Sequence, residues 1–113
     1  MAELQADIVE NNKAKGWHDD PPDLPAAMMM LVTEAVEAVE AWRAHGTEDA
    51  TRMNLTGSLT HPSKPEGVGS EFADILIRLL DDCYLFGIDL QAEVERKIAY
   101  NRTREYRHGG KRI

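Results

Sequence analysis

The stretch Leu24–Ala44 constrains the fold more than any other part of the chain. It reads Leu-Pro-Ala-Ala-Met-Met-Met-Leu-Val-Thr-Glu-Ala-Val-Glu-Ala-Val-Glu-Ala-Trp-Arg-Ala, with Asp23 before it and Gly46 after it. Asp23 is a good N-cap, Pro25 is tolerated in a first turn, and Gly46 stops the run, so the pattern predicts one long helix. Leu24, Met28, Leu31, Ala35, Val39 and Trp42 recur at helical spacing and predict the main core stripe. Ala27, Met30, Ala38 and Ala41 make a second strip beside it. A helix apolar around most of its circumference must be covered on most sides. In a chain of 113 residues, which builds only a modest core, the cover this predicts is another copy of the chain, as a dimer or a tetramer.

Two carboxylates interrupt this apolar surface. Glu34 lies between the strips and Glu37 at the edge of the second, three residues on, while Glu40 further round fits a solvated face. A second pair with the same spacing, Glu71 and Asp74, opens the next apolar-rich stretch. Spacing of three puts each pair on one side of a helix, one turn apart. Two such helices side by side would gather four carboxylates, which repel one another and pay to leave water. A bound divalent cation removes that objection.

The remaining segments are read as follows. Residues 2–15 predict a helix with Leu4, Ile8 and Val9 on its apolar side, ended by Gly16. Trp17 follows, as a lid on the core or as a stacking surface for a planar ligand, and Asp19-Asp20-Pro21-Pro22 make a connection. Residues 46–69 are rich in Gly, Pro, Ser and Thr without periodicity; they predict a long mobile loop near the site, carrying His61 and Lys64. Ser70 is read as the cap of a helix reaching Phe86, with Phe72, Leu76, Leu79, Leu80 and Cys83 as its core face. Glu71, Asp74, Arg78 and Asp81 form a polar row on roughly the opposite face, which in isolation reads as a solvated side laced by ion pairs through Arg78. Asp89 caps a last helix, Leu90–Glu105, on which Lys97, Asn101 and Arg104 share a face with Leu90 and Val94. A basic tail, Arg107–Arg112, ends the pattern, and no segment reads as a strand. The expectation is an all-α, four-helix bundle-like protein, a single domain over residues 1–113, and oligomeric.

A net charge of -7 speaks against a nucleic-acid groove or an affinity for anionic membranes. The single Cys83 excludes an internal disulfide and a cysteine-based zinc site. No apolar run reaches the roughly 20 residues of a membrane span, and the first residues lack the order of a secretion signal, so a cytoplasmic protein is expected.

Neither acidic pair is Glu-x-x-His, which disfavours di-iron oxygen chemistry. All-oxygen ligands from Glu34, Glu37, Glu71 and Asp74 suit Mg²⁺, with Mn²⁺ as its substitute. Lys97, Asn101 and Arg104 would then form an opposing wall for phosphates. A metal-bound water, deprotonated by a carboxylate such as Glu34 or Glu37, would attack phosphorus in line. There is no P-loop. The same surface also suits a second reading, a non-catalytic helical dimer that binds a nucleotide or a protein partner.

At these residues the chain resembles the MazG-like, all-α nucleoside triphosphate pyrophosphohydrolases. The resemblance runs through Lys15-Gly-Trp17, Thr33-Glu-Ala-Val-Glu-Ala-Val-Glu-Ala41 with Trp42-Arg43, and Lys64-Pro-Glu-Gly-Val-Gly-Ser-Glu-Phe-Ala-Asp-Ile-Leu-Ile-Arg78. It continues through Gly87-Ile-Asp-Leu90 and Lys97-x-x-x-Asn101-x-x-Arg104 to His108-Gly-Gly-Lys111. The resemblance implies hydrolysis of a (d)NTP to a nucleoside monophosphate and pyrophosphate, as in nucleotide-pool house-cleaning. It implies Mg²⁺ on Glu34, Glu37, Glu71 and Asp74, with Lys97 and Asn101 at the phosphates or sugar and Arg104 as a further phosphate contact. Lys64 and Trp17 complete the expected substrate contacts. Members self-associate, and a site can borrow residues from a neighbouring copy. Thr33 stands where many members carry an additional glutamate.

Overall fold

Helix ends follow local chemistry. The Asp23 carboxylate accepts from the Ala26 N–H at 3.0 Å, and that of Asp89 from the Ala92 N–H at 3.1 Å. Each satisfies a donor that the first helical turn leaves free. In the computed structural model, which describes residues 1–46, 52–54 and 63–105, these caps open α2 (Leu24–His45) and α4 (Leu90–Arg102). The other helices are α1 (Ala2–Ala14) and α3 (Val68–Leu85). The protein is all-α apart from a short antiparallel ribbon within 46–69, expected to be a loop. There β1 (Arg52–Asn54) pairs with β2 (Lys64–Glu66), Met53 opposite Pro65. His61 and the basic tail beyond Glu105 lie outside the described residues.

α3 starts earlier than Ser70. Gly67, at φ +98, is its N-cap, and Ser70 lies inside the first turns with its hydroxyl donating to the Pro65 carbonyl at 3.2 Å. The serine thus ties the helix to the ribbon instead of capping it.

α3 is the central element, with α2 packed along it and α1 against its C-terminal half. The predicted stripe on α2 is reversed. Ala27, Glu34 and Ala38 are buried, with Leu31 and Ala41 partly so, while Leu24, Met28, Val39 and Trp42 are exposed. The physical reason is size: a seam of alanines lets two helix backbones approach closely, and the large side chains are left outside. On α3 the predicted core face is half covered. Leu80 and Cys83 are buried, but Phe72 is 62% exposed and Leu76 is also exposed. The polar row is not a solvated side: Asp81 is buried and Glu71, Asp74 and Arg78 are half-buried.

A side-chain clasp holds the first connection to α3. His18 Nε2 lies 2.8 Å from Asp81 Oδ1 and 3.1 Å from Oδ2, and both residues are almost fully covered. The imidazole stacks on Tyr84, ring centroids 5.8 Å apart, and Lys13 Nζ donates to the Tyr84 hydroxyl at 2.8 Å. Gln5 Nε2 donates to the Leu80 carbonyl at 2.8 Å, adding a contact from α1. Trp17, beside this clasp, is 70% exposed and so is not a lid on the core. α4 leaves the body after the turn at Gly87, and every residue from Gln91 to Glu105 is exposed, including Val94 and Ile98.

The clasp predicts a contrast between adjacent residues. His18→Ala leaves the Asp81 carboxylate buried without a partner and is expected to cost about 3 kcal/mol of stability. Trp17→Ala, at a solvent-facing position, is expected to stay within about 0.5 kcal/mol of wild type. Urea unfolding of both variants measures this, and equal losses would rule out the clasp.

Candidate metal centre

The buried seam of α2 carries Glu34 into contact with α3. Its side chain is only 9% exposed. A carboxylate so covered needs partners, and it has one: Arg78 Nε donates to Glu34 Oε1 at 2.6 Å. The other oxygen, Oε2, is inaccessible to solvent and lacks a hydrogen-bond partner, as is Glu71 Oε2. One carboxylate oxygen from each of Glu34, Glu71 and Asp74 falls in a group whose members lie within 4.8 Å of one another.

That arrangement fits a hard cation. Two oxygens bound to one Mg²⁺ at about 2.1 Å lie at most about 4.2 Å apart, so small side-chain adjustments bring the three into range. The two orphaned oxygens are the observation that matters. A buried acceptor without a donor costs free energy, and a cation held by these carboxylates would offset that cost. The donor set is all oxygen, which suits Mg²⁺ or Mn²⁺ over softer metals.

Glu37 stands next to this group, at the exposed edge of α2. The adjacent Glu34 carboxyl raises it above the ordinary carboxylate range, and Glu71 adds to the effect. Asp74 is also raised, by burial and then by the charge of Glu34, against the opposing charges of Arg78 and Lys64. Across the α2–α3 seam, Glu71 acts on Glu37 and Glu34 acts on Asp74. Lys64, on β2, is exposed and close enough for its charge to act on Asp74. Burial and the charge of Asp82 raise the Cys83 thiol, which leaves it protonated and inert.

The remaining expected substrate residues are not gathered here. Lys97 and Asn101 lie on α4 and Arg104 just beyond it, all exposed. Lys97 Nζ and Arg104 Cζ sit 5.9 and 6.0 Å from the Tyr100 ring centroid, flanking that ring. Neither cation is among the charges that act on Glu37 or Asp74. Trp17 belongs to the clasp side of the molecule, next to His18.

Two contacts escape the local spacing of the sequence. Arg78 has acidic neighbours on its own helix, whereas its bond runs 44 residues away to Glu34. His18–Asp81, 63 residues apart, has no local signal. The apolar setting of Glu34 was the available clue to the first. Comparison of the chain with protein-family models, with curated proteins and with solved structures returns no match.

Because Glu37 is raised in the folded state, its contribution to stability is present at low pH and lost as pH rises through the folded value. Without divalent cation, Glu37→Gln is therefore expected to melt above wild type at pH 7. That advantage should vanish as pH falls through the carboxylate range. Melting curves from pH 7 to 4 in a chelator check the sign, and a variant no more stable than wild type at pH 7 contradicts it.

Proposed function

We propose that the protein is a Mg²⁺-dependent nucleoside triphosphate pyrophosphohydrolase, converting a (d)NTP and water to a (d)NMP and pyrophosphate. One observation carries the reading: a buried glutamate, Glu34, with an unpartnered oxygen among the carboxylates of Glu71 and Asp74. Such a group is costly for a protein that has no use for a cation. The order of the MazG-like motifs along the chain supplies the substrate class.

Glu34, Glu71 and Asp74 would hold Mg²⁺, with Glu37 alongside. The cation, when bound, neutralises phosphate charge and makes water more acidic. The chain's own residues do the rest. Glu37 is exposed and its carboxyl is raised, which suits it to accept the proton of the attacking water. Lys64, near Asp74, would hold a phosphate oxygen. Lys97, Asn101 and Arg104 would bind the outer phosphates and the sugar.

Self-association is part of the proposal. Leu24, Met28, Val32, Val36, Val39 and Trp42 leave one broad side of α2 apolar and exposed. Phe72, Leu76 and Ile77 do the same on α3, and Val94 and Ile98 on α4. A second copy would cover these surfaces, complete a four-helix arrangement, and bring an α4 wall to carboxylates that are distant from their own. Among the described residues no helix is long and apolar enough to cross a membrane, so these surfaces do not make a span.

Product analysis over a panel of (d)NTPs tests the activity. Release of pyrophosphate with Mg²⁺ is expected, falling at least about 100-fold in Glu37→Gln and Asp74→Asn. Folded variants with no change, or no turnover of any nucleotide, defeat the proposal. Val39→Glu is expected to dissociate the assembly in sedimentation experiments; an unchanged mass would place the contact elsewhere.

A further inference from the structure

The bond between Arg78 and Glu34 has a geometry that a surface ion pair does not. Arg78 lies four residues from Asp74 and four from Asp82 on α3, so one guanidinium stands between two carboxylates of its own helix while bonding a third across the seam. Asp82 Oδ2 is buried without a hydrogen-bond partner, like the oxygens of Glu34 and Glu71. Among the described residues, Arg78 acts on both Asp74 and Asp82, and Lys64 acts on Asp74. Arg78 is thus the principal positive charge in a crowd of carboxylates. Its side chain is 39% exposed, while that of Glu34 is 9% exposed. The arginine can swing toward solvent; the glutamate has nowhere to go.

We propose that Arg78 is the resident counter-cation of the carboxylate centre. It holds Glu34 in place when no divalent cation is bound, and it competes with such a cation for the same negative charge. The inference rests on the divalent-cation reading given above. Its consequence is a centre that is folded without metal and binds a lone ion only weakly. A cation that arrives on a triphosphate brings its own anion and does not depend on this balance. A residue with a merely orienting role would behave in the opposite way, because its loss would loosen Glu34 and weaken binding.

The test is calorimetric titration of the full chain with Mn²⁺ alone, together with thermal melts in chelator and in Mn²⁺. Arg78→Gln keeps a hydrogen-bond donor and removes the charge. It is expected to melt below wild type in chelator, to bind Mn²⁺ about tenfold more tightly, and to show the larger rise in Tm on adding Mn²⁺. Arg78→Lys keeps the charge and is expected to bind Mn²⁺ as wild type does. Mn²⁺ binding to Arg78→Gln but not to wild type also supports the proposal, as does a Gln variant that folds only with Mn²⁺. Equal or weaker binding by Arg78→Gln, with wild type still binding, overturns this proposal and leaves the metal reading intact. Tightening by Lys equal to that by Gln overturns it too, since charge would not be the cause. If the Gln variant stays unfolded even with Mn²⁺, the ion cannot stand in for the guanidinium, and the proposal falls. Absence of binding to both wild type and Arg78→Gln removes the metal reading and this proposal together.

Discussion

Repulsion among carboxylates at the α2–α3 seam is the constraint to which the rest of the structure answers. Glu34 is carried into the interior by the same alanine seam that brings the two helices together. Its neighbours Glu71 and Asp74 come from a helix whose polar side faces inward. Packing and charge pull against each other here: moving the helices apart would relieve the charge but expose the seam. Arg78 eases the conflict from within the fold. The raised Glu37 and Asp74 carboxyls show that it does so incompletely.

The centre needs firm support for such a balance to hold, and α3 provides it by dividing its duties. One side meets α2 through charged groups, and α1 reaches the other through Gln5 at the Leu80 carbonyl and Lys13 at Tyr84. Asp81 lies on the boundary and is occupied by His18, which keeps this fifth acid out of the carboxylate group. The clasp and the centre share a helix, and Asp81 lies one turn from Arg78, with both charges acting on Asp82. Substitutions in the two are therefore near enough to couple.

Much of the helical layout was legible in the sequence because caps and stops are local chemistry. Asp23, Asp89 and Gly46 mark their helix ends as read. The face of α2 was not legible, since a helix apolar on most sides carries no preference as to which strip goes inside. The choice fell to Ala27 and Ala38, whose small size matters only once a partner helix is present. A serine before an acidic residue gives Ser70 the signature of a cap, while the actual start depends on Gly67 and the ribbon. Three-residue strands are too short to show alternation. As for the candidate site, the acidic spacings named the residues, and the apolar surroundings of Glu34 pointed to its burial. The partner of Glu34 needed the third dimension, because Arg78 has equally good acidic neighbours within its own helix.

α4 has a consequence of another kind. It is 13 residues long, close to the length at which an isolated helix in water is marginal, and every residue from Gln91 on is exposed among the described residues. In a lone copy its amide hydrogens would exchange with solvent nearly as fast as those of an unstructured peptide, whereas those of α3 would be protected by packing on both sides. The persistence of helix α4 is thereby a property of the surroundings rather than of the segment, and slow exchange along it would register the company the chain keeps.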